Sequence, residues 1–469
     1  MTVLKIAMGL IGLGVVVFIH ELGHFLAARL CGIGVEAFSI GWGRPILKKK
    51  IGAVEYRLGL FPLGGYCKMR GDNDYQEVWE NKINGIEPAA GTYFAARPWK
   101  RIVSAFAGPL FNFLFAVVVL SVIWGRGIEV RTQENRIVLL SDIDGQSYPA
   151  DQGGLVTGDR IIEINGREIK TYRDIQENIA LNPDKDLPIT VIRNGDRVSL
   201  AVHPNLDKSG AGKVGIYPWT TPVVQTIRPG SPAEKAGLKP GDRILAVKQA
   251  VQDSGTVPES QNEESYEEVP YTVAFLRIFK DHKPADFILQ FERNGITETA
   301  EIRDTTFASD FPDIGVEYAS VHYKTPVLSP FGALAAGGGE AVKTFAVSAK
   351  SLGLLFKKGI DLTQAVSGPA RITYMMGDIA AGGFKESLQT GFISALSFLA
   401  LISIALCLMN LLPLPILDGG MILLYVVEMI RRRPIHPKAI SVFQTAGMVI
   451  IASLMIFAVF NDILFFTSR

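Results

Sequence analysis

The chain has 469 residues, and its 47 lysines and arginines against 46 aspartates and glutamates give a formal net charge of +1. This balance excludes a strongly basic nucleic-acid-binding protein. A mean hydropathy of +0.24 with only 20% charged residues is unusual for a water-soluble protein, so membrane segments are the first feature to seek. The cysteines Cys31, Cys67 and Cys407 are too few and too scattered for a disulfide framework.

Four apolar runs are long enough to cross a bilayer, which takes roughly 20 residues. They cover residues 3–30, 102–124, 392–417 and 442–466. The first run lacks the basic start of a secretory signal, and charged residues interrupt it, so we predict a retained helix.

Basic residues near the ends of these runs predict their orientation. Lys48, Lys49 and Lys50 lie in the basic segment after the first run, and 431–433 is an arginine triplet between the third and fourth runs. Both segments are predicted to be cytoplasmic. The N-terminus, the C-terminus and the large region 125–388 are then predicted to lie outside.

That large region contains an internal repeat. The segment Pro149–Ile162 recurs 83 residues later as Pro232–Leu245, and the Arg-Asn-Gly triplet at 193–195 recurs 100 residues later at 293–295. The second copy therefore holds 17 more residues, which we assign to the polar, acidic stretch Gln252–Glu268, a loop by its composition. Each copy is predicted to form a strand, a short helix, a strand, a helix and a hairpin with an Asn-Gly turn.

The pattern Pro-Ala-x-x-x-Gly-Leu-x-x-Gly-Asp in both copies resembles the core of bacterial PDZ domains. The resemblance implies two tandem α+β PDZ domains, at residues 126–219 and 220–321, which capture extended peptides by strand addition or act as a filter. A pair of purely structural β domains is the alternative. Residues 322–388 have helical spacing with one apolar side and are predicted to form an amphipathic linker region. Such a helix lies at a membrane surface, or it packs against the PDZ pair.

The sequence His20-Glu21-Leu22-Gly23-His24 lies within the first apolar run. Positions i and i+4 share a helix face, so both imidazoles can reach one Zn²⁺, and Glu21 sits where it can take a proton from bound water. Two imidazoles and a carboxylate are costly in lipid. This cost favours a functional site over buried histidines that only satisfy hydrogen bonds.

A catalytic zinc site needs a third protein ligand and an open position. Asp418 is the candidate, because it ends the third apolar run where two prolines break the helix and Gly419 and Gly420 allow a tight turn. The first and third helices run in the same predicted direction, so both motifs fall toward the cytoplasmic half of the membrane. Capping of the next helix is the alternative role for Asp418.

Together these motifs resemble the site-2 protease family of intramembrane zinc metalloproteases, over essentially the whole chain. Three further segments fit the family: Gly41-Trp42-Gly43, the PLGGY sequence at 62–66 and the AGPLFNF sequence at 107–113. Two features depart from it, since Trp42 stands where a phenylalanine is usual and the second PDZ copy carries an insertion.

The resemblance implies one Zn²⁺ per chain, held by His20, His24 and Asp418, with Glu21 as the catalytic base. It also implies that Asn410 binds substrate or stabilises the oxyanion, although from the residues alone this amide can equally bond a neighbouring helix. The implied substrate is a single-pass protein of the bacterial inner membrane, such as an anti-sigma factor already cut once during envelope stress. Remnant signal peptides are a second class, membrane lipid surrounds the enzyme, and no nucleic acid is expected.

A short hairpin over residues 55–68 is predicted to lie beside the zinc, with an open edge that pairs with the unwound substrate. Tyr56, Leu58 and Leu60 are predicted along this edge, and Pro62, Gly64 and Gly65 supply the turn. An ordinary cytoplasmic hairpin is the alternative.

The predicted fold is a polytopic α-helical membrane protein, with four transmembrane helices and two tandem PDZ domains between the second and third. Its predicted segments are 1–125, 126–219, 220–321, 322–388 and 389–469. Two rival functions stay open. A membrane metal-ion transporter would spread its ligands along a path without a base, and a catalytically inactive PDZ scaffold would tolerate loss of Glu21.

Overall fold

The computed structural model describes residues 2–71, 89–127, 129–207, 210–249, 266–281, 283–308, 311–354 and 368–467. The chain divides into two compact units, which we call the helical unit (Met1–Ile128 with Thr325–Arg469) and the β unit (Glu129–Lys324).

The helices are, in chain order, α1 Thr2–Leu30, α2 Pro98–Arg126, α3 Ser141–Asp144, α4 Pro149–Gln152, α5 Tyr172–Ala180, α6 Pro232–Lys235, α7 Ala274–Ile278, α8 Pro330–Leu354, α9 Pro369–Glu386, α10 Leu388–Asn410, α11 Asp418–Arg431 and α12 Pro437–Thr467. The strands are β1 Val35–Ile51, β2 Val54–Met69, β3 Glu129–Thr132, β4 Ile137–Leu139, β5 Arg160–Ile164, β6 Arg167–Glu168, β7 Leu187–Arg193, β8 Asp196–Val202, β9 Asn205–Leu206, β10 Gly212–Lys213, β11 Ile216–Pro218, β12 Val224–Ile227, β13 Arg243–Gln249, β14 Glu267–Glu268, β15 Phe287–Arg293, β16 Ile296–Ile302, β17 Thr306–Ala308, β18 Phe311–Asp313, β19 Val316–Tyr318 and β20 Val321–Lys324.

Within the described residues, α1, α2, α10 and α12 are the four helices that are long and apolar enough to cross a membrane. They correspond to the four predicted runs. The third of these four helices, α10, ends at Asn410, seven residues before the predicted end at Leu417. Pro413 and Pro415 lie in that interval, and proline removes a backbone donor and clashes with the preceding turn.

The region after the β unit contains α8, whose buried residues are Ala333, Gly337 and Ala341. They recur every four residues and pack against α2, where Ser121 lies so close to Gly337 that a side chain there would clash. Small residues let two helix backbones approach each other in this way. The predicted amphipathic helix therefore exists, but its small-residue side packs on the second apolar helix, an arrangement that the two sequence alternatives did not include.

Asp462 is a buried carboxylate in the last apolar helix, and it caps α9. Its Oδ1 accepts the N–H of Gly368 at 2.9 Å, and its Oδ2 accepts those of Ala370 at 2.9 Å and Arg371 at 3.2 Å. The first N–H groups of a helix have no partners within the helix. Since Gly368 has no side chain of its own for this task, α12 supplies the cap.

A mixed sheet is built in the helical unit from β1 and β2, two long strands that bend back on themselves. Phe38 is the partner of both Tyr56 and Cys67, and Leu58 is the partner of both Ile40 and Leu47. Segment 37–40 therefore lies between 55–58 and 65–68, and segment 55–58 is an inner strand.

In the β unit, the repeat predicts the fold correctly. The first copy forms a sheet of order β6-β5-β7-β8 and the second a sheet of order β14-β13-β15-β16. Asn194 and Asn294, each followed by glycine, have positive φ of 53° and 52°, as a two-residue hairpin turn requires. Of the predicted insertion 252–268, residues 252–265 lie outside the described residues. Its end was wrongly predicted as loop, since Glu267 and Glu268 pair with β13 and continue the sheet.

The same ion pair stabilises each copy. The Gly-Asp-Arg aspartates, Asp159 and Asp242, are buried, and each accepts two hydrogen bonds from the arginine of its own Asn-Gly turn. For Asp242 these bonds from Arg293 measure 2.7 and 2.6 Å. Burial by itself would raise the pKa of Asp242, but Arg293 and the Lys239 backbone N–H outweigh this and hold the pKa below its ordinary value.

Replacing Arg293 by methionine is expected to lower the free energy of unfolding of the second copy by about 1.5–3 kcal/mol at pH 7, because a buried carboxylate loses its charged donor. The ion pair stabilises the fold above the ordinary carboxyl pKa of about 4, and its contribution is lost as the pH falls through the depressed pKa of Asp242. The difference in unfolding free energy between variant and wild type should therefore become smaller in acid. Hydrogen exchange of the β15 and β16 amides in the full chain measures this free energy. Arg303→Met, which breaks an exposed ion pair with Glu301, is the control. Equal protection at pH 7 would contradict the prediction.

Candidate metal centre

His20 and His24 lie one turn apart on α1, and their rings point to the same place. Their Nε2 atoms are 3.1 Å apart, and the ring centroids are 4.7 Å apart in an edge-to-face arrangement. A glycine on α2 makes room for them. A Cβ at Gly108 would lie 2.8 Å from Cε1 of His20 and still closer to His24.

Asp418 is the first residue of α11 and meets both histidines. Its Oδ2 lies 3.3 Å from Nε2 of His20 and 3.4 Å from Nε2 of His24. Gly419 and Gly420 allow this approach, because a side chain at either would strike backbone carbonyls of the preceding loop, at Leu411 and Leu414.

These three donor atoms fit a zinc ion. They form a triangle with sides of 3.1, 3.3 and 3.4 Å, close to the edge of about 3.3 Å of a tetrahedron whose corners lie about 2.0 Å from the metal. The Oδ2 atom of Asp418 is also buried without a hydrogen-bond donor. Among the residues that the structure describes, no other group of three histidine, cysteine or acidic side chains converges in this way.

Two residues of α2 orient the histidines, and the sequence reasoning did not single them out. The Nδ1 of His24 donates to the carbonyl of Ser104 at 2.8 Å, which leaves its Nε2 lone pair for the centre. The Nδ1 of His20 lies 3.3 Å from the fully buried carboxamide of Asn112. Ser104, Gly108 and Asn112 recur every four residues in an apolar run, which is the signal that could have revealed this face.

Glu21 lies between the histidines in sequence and faces the sheet. A Cβ on Gly65 of β2 would lie 3.3 Å from Cγ of Glu21 and 2.8 Å from the carbonyl of Ser39. The sheet thus approaches the predicted base at a position where only glycine fits. Gly64 beside it has a φ of +121°, and the Trp42 indole donates to the carbonyl of Gly65 at 3.1 Å.

The predicted hairpin over 55–68 is wrong in its bounds and in its edge. The hairpin turn is at Gly52 and Ala53, between β1 and β2. Leu58 lies on an inner strand, and the ring of Tyr56 packs 6.2 Å from those of Phe25 and Phe38 in a buried cluster. The sequence pattern could not show that β1 would bend back and cover both sides of this segment.

For the other predicted substrate-binding residues, the structure gives a position but no contact that tests the predicted role. Leu60 is 55% exposed, and Pro62 lies within β2 at a position whose side chain is outside the description. Asn410 is the last residue of α10, eight residues before Asp418. These positions are compatible with substrate contact, and their roles stay predictions.

Comparison with known proteins agrees with this geometry. The model of peptidase family M50 matches residues 8–454. A Treponema pallidum protein named as a zinc metalloprotease is 37% identical over 465 residues, which span 98% of this chain and 99% of that protein. Protease RseP of Yersinia pestis is 28% identical over 480 residues, 98% of each chain, and the regulator of sigma-E protease RseP of Escherichia coli is 27% identical over 492 residues, 97% of each.

The family match begins before the two histidines and ends well beyond Asp418, so it includes every residue of the candidate centre. The relatives are matched over nearly their full length, so no large part of either protein lies outside the similarity. The chain therefore belongs to peptidase family M50, the site-2 proteases, and is a zinc metalloprotease.

Proposed function

We propose that this protease cuts the transmembrane segment of single-pass membrane proteins, at a zinc centre made by His20, His24 and Asp418. The observation that carries the proposal is the convergence of these three donors at one point between apolar helices. A transporter would need ligands spread along a path, whereas here all three donor atoms lie within 4.8 Å of one another. We propose one Zn²⁺ per chain, since the residues that the structure describes contain one such group.

The chemistry needs a base beside the centre, and we assign this role to Glu21. Zinc, when bound, supplies a Lewis acid that polarises the scissile carbonyl. Glu21 takes the proton of the attacking water and passes it to the leaving amine. Its position next to Gly65 supports this role, because a substrate chain lying along β2 would pass in front of its carboxylate.

Substrate must be unwound before cleavage, since the amides of a helix are hydrogen-bonded and shielded. We propose that the unwound chain lies along β2 at Gly65, where a glycine lets the strand approach Glu21. Residues 65–68 pair with 37–40. This part of β2, and not 56–60, is the proposed substrate surface.

The β unit is proposed to contain the two PDZ domains, and the first copy has a cavity that can hold a peptide. A cavity of about 370 Å³ lies between α5 and the strand residues 212–217 of the first copy. The residues 100 positions later are bulkier at three places. Phe275, Phe279 and Phe311 stand for Ile175, Ile179 and Ala211. The ring centroids of Phe275 and Phe311 lie 5.8 Å apart, so we propose that the second copy has less room for a peptide at this place.

Relatives named regulator of sigma-E protease suggest a class of substrate, an anti-sigma factor of the inner membrane already trimmed by another protease. Remnant signal peptides are a second proposed class. From the basic segments we propose that the centre lies toward the cytoplasm and the β unit in the periplasm, with both termini on the periplasmic side. Strands β3 and β20 pair with each other, so the chain enters and leaves the β unit at one place, as an insertion between helices requires.

Replacing Glu21 by glutamine is expected to abolish cleavage of a tagged single-pass substrate while zinc content stays at one per chain, because the ligands are intact. His24→Ala and Asp418→Ala should lose zinc as well as activity. Metal analysis of the purified chain, beside a cleavage assay, separates the two classes. Cleavage by Glu21→Gln with full zinc would remove the base from the mechanism, and zinc retained by Asp418→Ala would place the third ligand elsewhere.

A photoreactive amino acid at position 66 is expected to crosslink to the transmembrane segment of the substrate, since this residue follows Gly65, where β2 approaches Glu21. The same group at position 58, on the inner strand, is the matched control and should give no crosslink. The experiment uses the Glu21→Gln protein, which holds substrate without cutting it. Crosslinks from 58 alone would assign the substrate to another surface.

Deleting Glu129–Lys324 is expected to leave zinc binding intact and to allow cleavage of an untrimmed substrate with a large outside domain. The reason is that the candidate centre lies wholly in the helical unit, while a domain pair inserted outside can exclude bulky substrates. Cleavage rates of trimmed and full-length substrate measure the effect. If the deletion stops cleavage of both while zinc stays bound, the β unit recruits substrates instead of filtering them.

A further inference from the structure

A buried ion pair joins α2 to α11 away from the metal centre. Arg101 donates from Nη2 to Oε1 of Glu428 at 2.5 Å and from Nη1 to Oε2 at 3.2 Å. The side chain of Arg101 is 3% exposed and that of Glu428 is 11% exposed. Such a two-bond contact fixes both the distance and the relative rotation of the helices that carry it.

The surroundings of Arg101 leave it little freedom. Its Nε donates to the carbonyl of Ala96 at 3.1 Å, and its guanidinium lies 4.7 Å from the ring centre of Tyr425 and 5.6 Å from that of Phe94. Tyr425 is itself 1% exposed. Arg101 is therefore held on three sides, and α11 is bound to a fixed point.

Each residue of this ion pair lies on a helix that carries or orients a candidate metal ligand. On α2, Arg101 lies one turn before Ser104, whose carbonyl orients His24 at 2.8 Å. On α11, Glu428 lies ten residues after Asp418, about 15 Å along the helix. One turn of α2 thus contacts both the histidine and the helix that begins with the aspartate.

We propose that Arg101 and Glu428 are positioning residues that set the place of the Asp418 carboxylate relative to the two histidines. This inference rests on the proposed zinc site. Loop 411–417 enters α11 through Gly419 and Gly420, which give no side-chain contacts that could fix the rotation of the helix. The ion pair supplies that constraint from the other end of α11, so breaking it moves Asp418 and loosens the metal.

The test measures zinc affinity of the solubilised full chain by competition with a chelator, for Arg101→Lys and Glu428→Gln. Both changes keep a long polar side chain and remove the two-bond contact. Each is expected to weaken zinc binding fivefold or more and to alter the absorption spectrum of the cobalt-substituted protein. Arg101→Met with Glu428→Met leaves no unpaired buried charge, so it stays folded, and it should bind zinc no more tightly than the single variants.

Asp462→Ala is the matched control for a general loosening of the helical unit, because it removes the cap of α9 and touches no candidate ligand. It should leave zinc affinity within twofold of wild type. The inference is overturned if Arg101→Lys and Glu428→Gln lose less than fivefold, or if Asp462→Ala loses as much as they do. Asp418→Ala separates this failure from failure of the site itself, since zinc retained by that variant would instead remove Asp418 from the ligand set.

Discussion

Polar groups enclosed by apolar helices need partners, and the Nδ1 atoms of both histidines find them on α2. The backbone carbonyl of Ser104 accepts a hydrogen bond from Nδ1 of His24, and the carboxamide of Asn112 lies against His20. Gly108, between them, gives space to both rings. These three residues recur every four positions and so form one face of the helix. The centre therefore depends on how closely α1 can lie against α2.

That close approach is set by small residues on both helices. A Cβ at Gly23, inside the metal-binding motif, would lie 2.8 Å from the carbonyl carbon of Ala107. The motif thus has two constraints at once, since His20 and His24 must reach the centre and Gly23 must admit the neighbouring backbone. In a membrane, such packing of small residues takes the place of the hydrophobic effect in holding helices together. The glycine in the motif is part of the fold as much as the histidines are part of the site.

The sequence predicted the parts of this molecule that follow a periodic rule. Apolar runs gave the four long helices, the spacing of four gave the histidine pair, and the 83- and 100-residue offsets gave two sheets of the same order. It did not predict the sheet of the helical unit, because the edge of a sheet depends on which distant segments pair, and β1 bends to contact β2 twice. It also missed Ser104 as a partner of His24, since a backbone carbonyl acceptor has no signature of its own and only the four-residue spacing with Gly108 and Asn112 points to that helix face.

The two copies in the β unit separate what preserves a fold from what gives it a binding surface. Both keep the aspartate of Gly-Asp-Arg and the arginine of Arg-Asn-Gly, because a buried carboxylate without its donor destabilises the copy. The positions that line the cavity in the first copy are free of this requirement. At Phe275 and Phe279 the second copy has large rings, which stack 6.0 Å apart in its core. A repeat that is identified only from its shared motif thus predicts two similar folds, whereas the proposed difference in peptide binding depends on the residues between the motifs.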